Sequence, residues 1–182
     1  MPDQTDYVSR IQQFGWPELR QLWNQITNGH TPGWPPGRAM EYLVLRAFEL
    51  DGAHVRWPFT VDLEEETVEQ IDGAVYVENL ACLVEVKDSR AAVDIGVLAK
   101  LRTQLARRPA AALGLVVSRS GFTAAAMRLG GFFAPQTVLL MRGAELSQAL
   151  QKESIAALLL ARYRECVERG LSQDLTWRSS ER

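Results

Sequence analysis

The chain has 182 residues, of which 47% are hydrophobic and 23% are charged, and its formal net charge is −2. This balance is typical of a single globular domain with a sizeable core, and the net charge excludes a protein that is basic over its whole surface. No run of 18 or more apolar residues occurs, which excludes a transmembrane helix, so we expect no membrane association. The first ten residues are polar and lack the apolar centre of a signal peptide.

Cysteine and histidine are both scarce. Cys82 and Cys166 are too few for a disulfide framework, which favours a reducing, cytoplasmic location. His30 and His54 are too few for a metal centre built from several histidines. A metal bound by this chain would therefore need carboxylate ligands.

Apolar periodicity and turn residues predict alternating helices and strands. The first elements are helices over 16–28 and 38–50, separated by a proline- and glycine-rich loop over 29–37, and a strand over 53–61 in which Pro58 indicates a sheet edge or a bend. The remaining elements are a hairpin over 71–89, a helix over 91–107, a strand over 111–118, a helix over 122–130, a strand over 137–141, and one or two helices over 145–170, with 171–182 frayed.

This order predicts an α/β fold in which a mixed β-sheet is flanked by helices on both faces. We divide the chain into an N-terminal helical appendage with its loop (1–36), a core (37–142) and a C-terminal helical segment (143–182). Three tryptophans of the N-terminal part are expected to pack it onto the core: Trp16, Trp23 and Trp34.

Charge is unevenly distributed along the chain. A basic zone between residues 92 and 128 contains one acidic residue, Asp94, and six basic ones: Lys100, Arg102, Arg107, Arg108, Arg119 and Arg128. This zone is either a nucleic-acid footprint or solvated surface. An acidic cluster, expected to be solvated surface, consists of Glu64, Glu65, Glu66 and Glu69.

The hairpin "IDGAVYVENLACLVEVKDS" places charged residues on a strand pair. A turn at Glu78 and Asn79 would bring Asp72 opposite Glu85, and Lys87 follows two residues later on the same face. The other face is apolar and must pack against helices: Ile71, Val75, Val77, Leu80, Cys82, Val84 and Val86.

Two carboxylates about 5 Å apart across a strand pair repel each other by roughly 3 kcal/mol at an effective dielectric near 20. A divalent cation held by Asp72, Glu85 and the carbonyl of Val86 would offset that repulsion, and Mg²⁺ adds water and phosphate oxygens to such a set. Lys87 could then stabilise charge developing on phosphorus. The arrangement suits metal-assisted phosphodiester hydrolysis, whereas a solvated rim with a Glu85–Lys87 surface pair is the alternative.

These segments together resemble the PD-(D/E)XK nuclease superfamily, in particular its Mrr-type restriction endonuclease and archaeal Holliday-junction resolvase branches. The helix "GRAMEYLVLRAFELDG", the hairpin aspartate, the E-V-K of residues 85–87 and the segment "LGLVVSRSGFTAAAM" occur in the family's order. The resemblance covers roughly residues 37–142 and implies a restriction-endonuclease-like fold. Ile71 stands where the family frequently has proline.

The resemblance also implies roles for individual residues. Asp72 and Glu85 would be metal ligands, Lys87 the catalytic lysine and Glu41 the helix glutamate that reaches the site, with Mg²⁺ as cofactor and Mn²⁺ as a substitute. The implied substrate is nucleic acid, expected to be DNA. Residues expected to contact it are Lys100, Arg102, Arg107, Arg108, Arg119 and, facing the site from its helix, Gln104.

Two other classes of function stay open at the level of sequence. One is a nucleic-acid-binding protein with this fold and no turnover, which the intact Asp, Glu and Lys set disfavours. The other is a protein-interaction module, because the run "IAALLLA" (155–161) has no obvious use in the core. The same run, and the need for two sites to cut two strands, lead us to expect a homodimer.

Overall fold

The structure is a computed structural model that describes residues 4–130 and 137–170. Three helices precede five consecutive strands in these residues, and helices and strands then alternate up to a final pair of helices. The helices are α1 (Gln4–Ile11), α2 (Trp16–Thr27), α3 (Arg38–Leu50), α4 (Ile95–Leu105), α5 (Ala124–Gly130), α6 (Gly143–Lys152) and α7 (Ile155–Arg169). The strands are β1 (His54–Arg56), β2 (Phe59–Leu63), β3 (Glu66–Ile71), β4 (Gly73–Val77), β5 (Leu80–Lys87), β6 (Ala112–Ser118) and β7 (Val138–Arg142).

The main sheet has five strands in the order β1-β4-β5-β6-β7. Strands β1, β4 and β5 are antiparallel neighbours, whereas β5, β6 and β7 run parallel. Strands β6 and β7 are short apolar runs buried almost throughout, as expected for parallel strands covered on both faces. The predicted mixed sheet is therefore confirmed.

Two apolar cores lie on opposite faces of this sheet. On one face the helices α1, α2, α3, α6 and α7 pack on residues such as Val75, Val84 and Leu139. On the other face α4 and α5 cover residues such as Val116 and Leu140. The expected helical layers on both faces are confirmed.

The predicted hairpin register is confirmed, because Val77 pairs with Leu80 and Gly73 with Val84. The predicted apolar face packs against the core that contains α3, with one exception. Ile71 belongs to the opposite core, because the chain bends at Asp72 between β3 and β4 and the alternation of side chains restarts there.

The single strand predicted over 53–61 is wrong. Strand β1 ends at Arg56 and β2 begins at Phe59, because the intervening Pro58 has no amide hydrogen to donate to a ladder. Strand β2 pairs with β3 in a separate hairpin whose turn carries Glu64 and Glu65 at positive φ. Glutamate is a weak strand former, which hid this hairpin in the sequence.

The acidic cluster divides between surface and interior. Glu64, Glu65 and Glu66 are exposed, as expected. Glu69 is buried instead, and it forms ion pairs with Arg107 and Arg108 at the C-terminal end of α4. This buried carboxylate ties the β2–β3 hairpin to α4.

Some helices begin a few residues away from the positions that the apolar periodicity predicts. Helix α4 begins at Ile95 and not at 91, because Val93 bridges to Phe122 and the Asp94 carboxylate caps the helix by accepting from the Gly96 amide at 2.9 Å. Helix α1 was not predicted, since its sequence is mostly polar. In contrast, the packing expected of the N-terminal tryptophans is confirmed for Trp23 and Trp34, which are both buried in the core.

The C-terminal segment forms two helices, which satisfies the prediction of one or two. Ile155 and Leu159 are fully buried, so the premise that the run "IAALLLA" has no use in the core is wrong. The fraying expected for 171–182 lies outside the described residues. Among the helices that the structure describes, none is long and apolar enough to cross a membrane.

Candidate active site

The predicted catalytic residues come together at one end of the sheet. Asp72 lies at the bend before β4, Glu85 and Lys87 lie on β5, and Glu41 lies in the first turn of α3. Glu41, Asp72 and Lys87 line a cleft of about 630 Å³, and Glu85 lies beneath them with 1% of its surface exposed. Strand alternation in the sequence placed Asp72, Glu85 and Lys87 on one face of the hairpin, and the structure brings these three side chains together.

Glu85 is held by two lysines from different elements. Lys87 Nζ lies 2.6 Å from Glu85 Oε1, and Lys100 Nζ, which reaches over from α4, lies 3.1 Å from both carboxylate oxygens. A buried carboxylate needs such partners, since an isolated charge in the interior is strongly unfavourable. The sequence assigned Lys100 to DNA contact only, because nothing in the spacing of α4 reveals which residue of β5 lies beneath it.

Asp72 is in an electrostatically unfavourable position. Its Oδ2 accepts a hydrogen bond of 2.8 Å from the Val86 amide, which fixes the carboxylate. Burial, together with the charges of Glu85 and Glu41, raises the pKa of Asp72 from 3.8 to about 7. The repulsion between Asp72 and Glu85 inferred from the hairpin is thus present, and Val86, whose carbonyl is the predicted ligand, touches the site through its amide.

Glu41 approaches the same carboxylates from the helix. Burial raises its pKa, and the Arg38 guanidinium, 2.6 Å away one turn earlier, opposes that rise. Arg38 also lines the cleft, although the sequence analysis did not select it. Its separation of three residues from Glu41 on one helix is the signal that could have found it.

Lys87 keeps its proton in this setting. Burial by itself lowers the pKa of Lys87, but the hydrogen bond to Glu85 and the charges of Glu85, Asp72 and Glu41 outweigh burial and raise it. The side chain therefore presents an ammonium group to the cleft. Such a group stabilises negative charge and does not accept a proton from water.

The donor set fits a hard divalent cation. In residues 4–130 and 137–170, no three His, Cys, Asp or Glu side chains gather closely enough to hold a metal by themselves. Asp72 and Glu85 supply two carboxylates, and Mg²⁺ is commonly held by one or two carboxylates with water and phosphate completing its shell. A cation here would relieve the repulsion at Asp72 and compete with Lys100 for Glu85.

The basic zone is largely engaged in ion pairs. Lys100 pairs with Glu85, and Arg119 pairs with Asp88 at 2.5 Å. Arg107 and Arg108 both pair with Glu69. The remaining predicted contacts are Arg102, which is partly buried, and Gln104, which is buried and donates to the Gln70 carbonyl at 3.3 Å. DNA contact by these residues stays a prediction.

A comparison with known protein families identifies the family of this chain. Residues 36–150, more than half of the chain, match the Mrr_cat restriction endonuclease family. The chain belongs to this family, which confirms the resemblance seen in the sequence, and it is a nuclease that acts on DNA. Nucleases of this family generally depend on a divalent metal.

Two solved structures are similar to the chain at low sequence identity. One is protein AF1548, of unknown function, at 14% identity and a TM-score of 0.45, with 72% of this chain and 77% of that chain covered. The other is the MspJI restriction endonuclease in complex with a 27-mer oligonucleotide, at 18% identity and a TM-score of 0.44. That match covers 80% of this chain and 34% of MspJI, so the chain spans about a third of that protein. A search of curated proteins finds no match.

Proposed function

We propose that the chain is a Mg²⁺-dependent endonuclease that hydrolyses DNA phosphodiester bonds in the cleft of Glu41, Asp72 and Lys87. The observation that carries the proposal is that Asp72 and Lys87 line one cleft, with the buried Glu85 paired to Lys87, in a chain that belongs to a nuclease family. Mn²⁺ is the expected substitute for Mg²⁺, because it also accepts hard oxygen ligands.

Each residue has a distinct proposed role. Asp72, Glu85 and the Val86 carbonyl would hold the cation, and a cation held there would supply Lewis-acid polarisation of the scissile phosphate and a bound water of lowered pKa. Lys87, which stays protonated, donates to a phosphate oxygen as negative charge develops there. Glu41 fixes the guanidinium of Arg38 at the rim of the cleft.

The DNA contacts proposed from the basic zone rank by position. Lys100 is the first of them, because it lines the cleft and half of its side chain is exposed. Arg102 and Gln104 lie on α4 and Arg107 and Arg108 follow it, whereas Arg119 follows β6, and three of these five already have carboxylate partners.

The test is cleavage of plasmid and oligonucleotide DNA by site variants. Asp72→Ala, Glu85→Ala and Lys87→Ala should each lower Mg²⁺-dependent cleavage by at least about 100-fold, and EDTA should abolish it in the wild type. Lys152→Ala, on the exposed side of α6, is the matched control and should cut at the wild-type rate. Cleavage at the wild-type rate by a folded Asp72→Ala protein contradicts the assignment, whereas DNA binding without any cleavage favours the inactive binding protein.

A homodimer is the proposed assembly, because cutting both strands of a duplex takes two such sites. The proposed location is a reducing cytoplasm, which agrees with the two unpaired thiols of Cys82 and Cys166. Light scattering at tens of micromolar should give twice the chain mass of 20.4 kDa. A monomer mass at that concentration contradicts the dimer.

A further inference from the structure

A second groove opens beside the cleft, at the β1–β4 edge of the sheet. It has a volume of about 560 Å³ and is lined by His54, Arg56, Phe59 and Tyr76. Phe59 lines both the groove and the cleft, so the two adjoin at this side chain. We call this groove the edge groove.

The strand register sets the direction of the edge groove. Arg56 lies opposite Ala74, and His54 lies opposite Tyr76, so the groove follows β4 away from the catalytic end. Tyr76 is four residues beyond Asp72, which is about 13 Å at the rise of an antiparallel strand. An extended ligand that leaves the cleft past Phe59 therefore contacts Arg56 first and Tyr76 next.

The sheet is uncovered at this edge. Tyr76 points to the same face as Ala74, which belongs to the core beneath α4 and α5. Helix α4 makes its main sheet contacts with β5, β6 and β7 and not with β4. The Tyr76 side chain is consequently 46% exposed, which is unusual for an aromatic residue inside a five-stranded sheet.

The chemistry of the edge groove is cationic and aromatic. The Arg56 guanidinium lies 5.1 Å from the centre of the Phe59 ring, and the His54 ring lies 5.5 Å from the Tyr76 ring. None of the four lining residues is acidic, and no carboxylate of the described residues forms an ion pair with Arg56. Arg56 thus differs from the paired arginines of the basic zone, and it can contact a phosphate without breaking an existing pair.

We propose that the edge groove binds an unpaired stretch of the DNA strand that leaves the cleft. Arg56 contacts a phosphate, while Tyr76 and Phe59 stack on bases. Bases offer their faces to aromatic side chains only where they are not stacked in a duplex, and such stacking binds single strands with little sequence preference. One arginine is also too few for the two backbones of a duplex. The inference rests on the proposed function and names its substrate class: DNA with unpaired nucleotides next to the cut.

The test is binding of a fluorescein-labelled single-stranded 20-mer and of the matching duplex, measured by anisotropy in EDTA. Tyr76→Ala and Arg56→Ala should each weaken single-strand binding about tenfold and change duplex binding much less. Tyr76→Phe should bind like the wild type, because it keeps the ring. Arg164→Ala is the matched control for charge, since it lies on α7, which packs at the opposite, β7 edge. A 2-aminopurine base in the 20-mer should be quenched by the wild type and Tyr76→Phe but not by Tyr76→Ala.

Three results overturn the inference: no single-strand binding by the wild type, wild-type binding by both alanine variants, or equal losses for single strand and duplex. Wild-type cleavage of the same oligonucleotides with Mg²⁺ tests the proposed function separately. Binding that depends on Tyr76 and Arg56 without any cleavage contradicts the nuclease and supports the groove. If the wild type cleaves DNA and the variants bind single strands as tightly as the wild type, the edge-groove proposal is wrong and the proposed nuclease function stands.

Discussion

Asp72 is a partly buried carboxyl group whose proton is held more tightly in the folded chain than in the unfolded chain. Its pKa rises from 3.8 to about 7 because of burial and the charges of Glu85 and Glu41. As pH rises from about 4 to about 7, the unfolded state loses this proton first. The free energy of unfolding of the metal-free protein therefore falls across that interval, by on the order of 2–4 kcal/mol.

We expect Asp72→Asn to raise the melting temperature of the protein in EDTA at pH 8, because the amide carries no charge and its oxygen can still accept from the Val86 amide. The two proteins should converge near pH 4, where the wild-type carboxyl is protonated. Thermal melts of both proteins across this range measure the effect. In millimolar Mn²⁺ the difference between the two melting temperatures should become smaller or change sign. A ligand present at a hundredfold excess over its Kd stabilises the wild type by about 2.7 kcal/mol. A variant that gains as much from Mn²⁺ as the wild type shows that Asp72 is not a ligand.

Lys100 Nζ contacts both carboxylate oxygens of Glu85, so it would compete with a cation for that carboxylate. We expect Lys100→Met to bind Mn²⁺ about tenfold more tightly, an effect of roughly 1.4 kcal/mol, because methionine keeps the apolar stem and removes the charge. Titration calorimetry without DNA measures the affinity, and Lys152→Met on α6 is the control. Equal affinities of the wild type and Lys100→Met count against competition.

At the scale of elements, α3 and β4 approach each other closely at Gly73. A Cβ built there lies 2.6 Å from Leu45 Cδ2 and 3.0 Å from the Arg56 carbonyl oxygen. This contact sets the distance between the helix that carries Glu41 and the strand that follows Asp72. Glycine is therefore required by packing and not by its backbone angles.

Gly73→Ala should lower the free energy of unfolding by about 1–3 kcal/mol, because overpacking forces the helix or strand to move. Gly73→Val should lower it further and also reduce cleavage, since α3 would carry Glu41 away from Asp72. Chemical denaturation and cleavage rates of the two variants measure these effects. Ala144→Val at the exposed start of α6 is the control. If the wild type, Gly73→Ala and Gly73→Val are equally stable, the result argues against a close contact at Gly73.

The hairpin of β4 and β5 was predictable because strict alternation and one turn determine its register, and with it the grouping of Asp72, Glu85 and Lys87. The β2–β3 hairpin was not predictable, because a glutamate-rich segment is typical of exposed coil. Only the structure shows that Glu69 is buried and paired with Arg107 and Arg108. Likewise, local periodicity identifies α4 as a helix, but only the packed fold shows that Lys100 reaches Glu85. Contacts between elements distant in sequence were the part that the sequence could not supply.

At the scale of the whole molecule, most basic side chains of the basic zone form ion pairs with carboxylates and do not form an unpaired basic surface. The net charge is −2, and most cations of the basic zone are paired with Glu69, Glu85 or Asp88. A surface of this kind attracts the phosphate backbone weakly over long distances. The cations that line the cleft are Arg38, Lys87 and Lys100, each of which has a carboxylate partner, and Arg56 lines the edge groove without one among the described residues.

DNA binding should therefore depend only moderately on salt. Each phosphate contact on duplex DNA contributes about −0.9 to the slope of log K against log salt concentration, so two to four contacts give a slope of about −2 to −4. Anisotropy titrations in EDTA at several KCl concentrations measure this slope. Arg107→Ala should leave it unchanged if that arginine stays with Glu69, whereas Arg56→Ala should make the single-strand slope shallower by about 0.7. A slope steeper than about −4.5 in the wild type would mean that Arg107, Arg108 and Arg119 leave their carboxylates and make the DNA contacts that the sequence predicts.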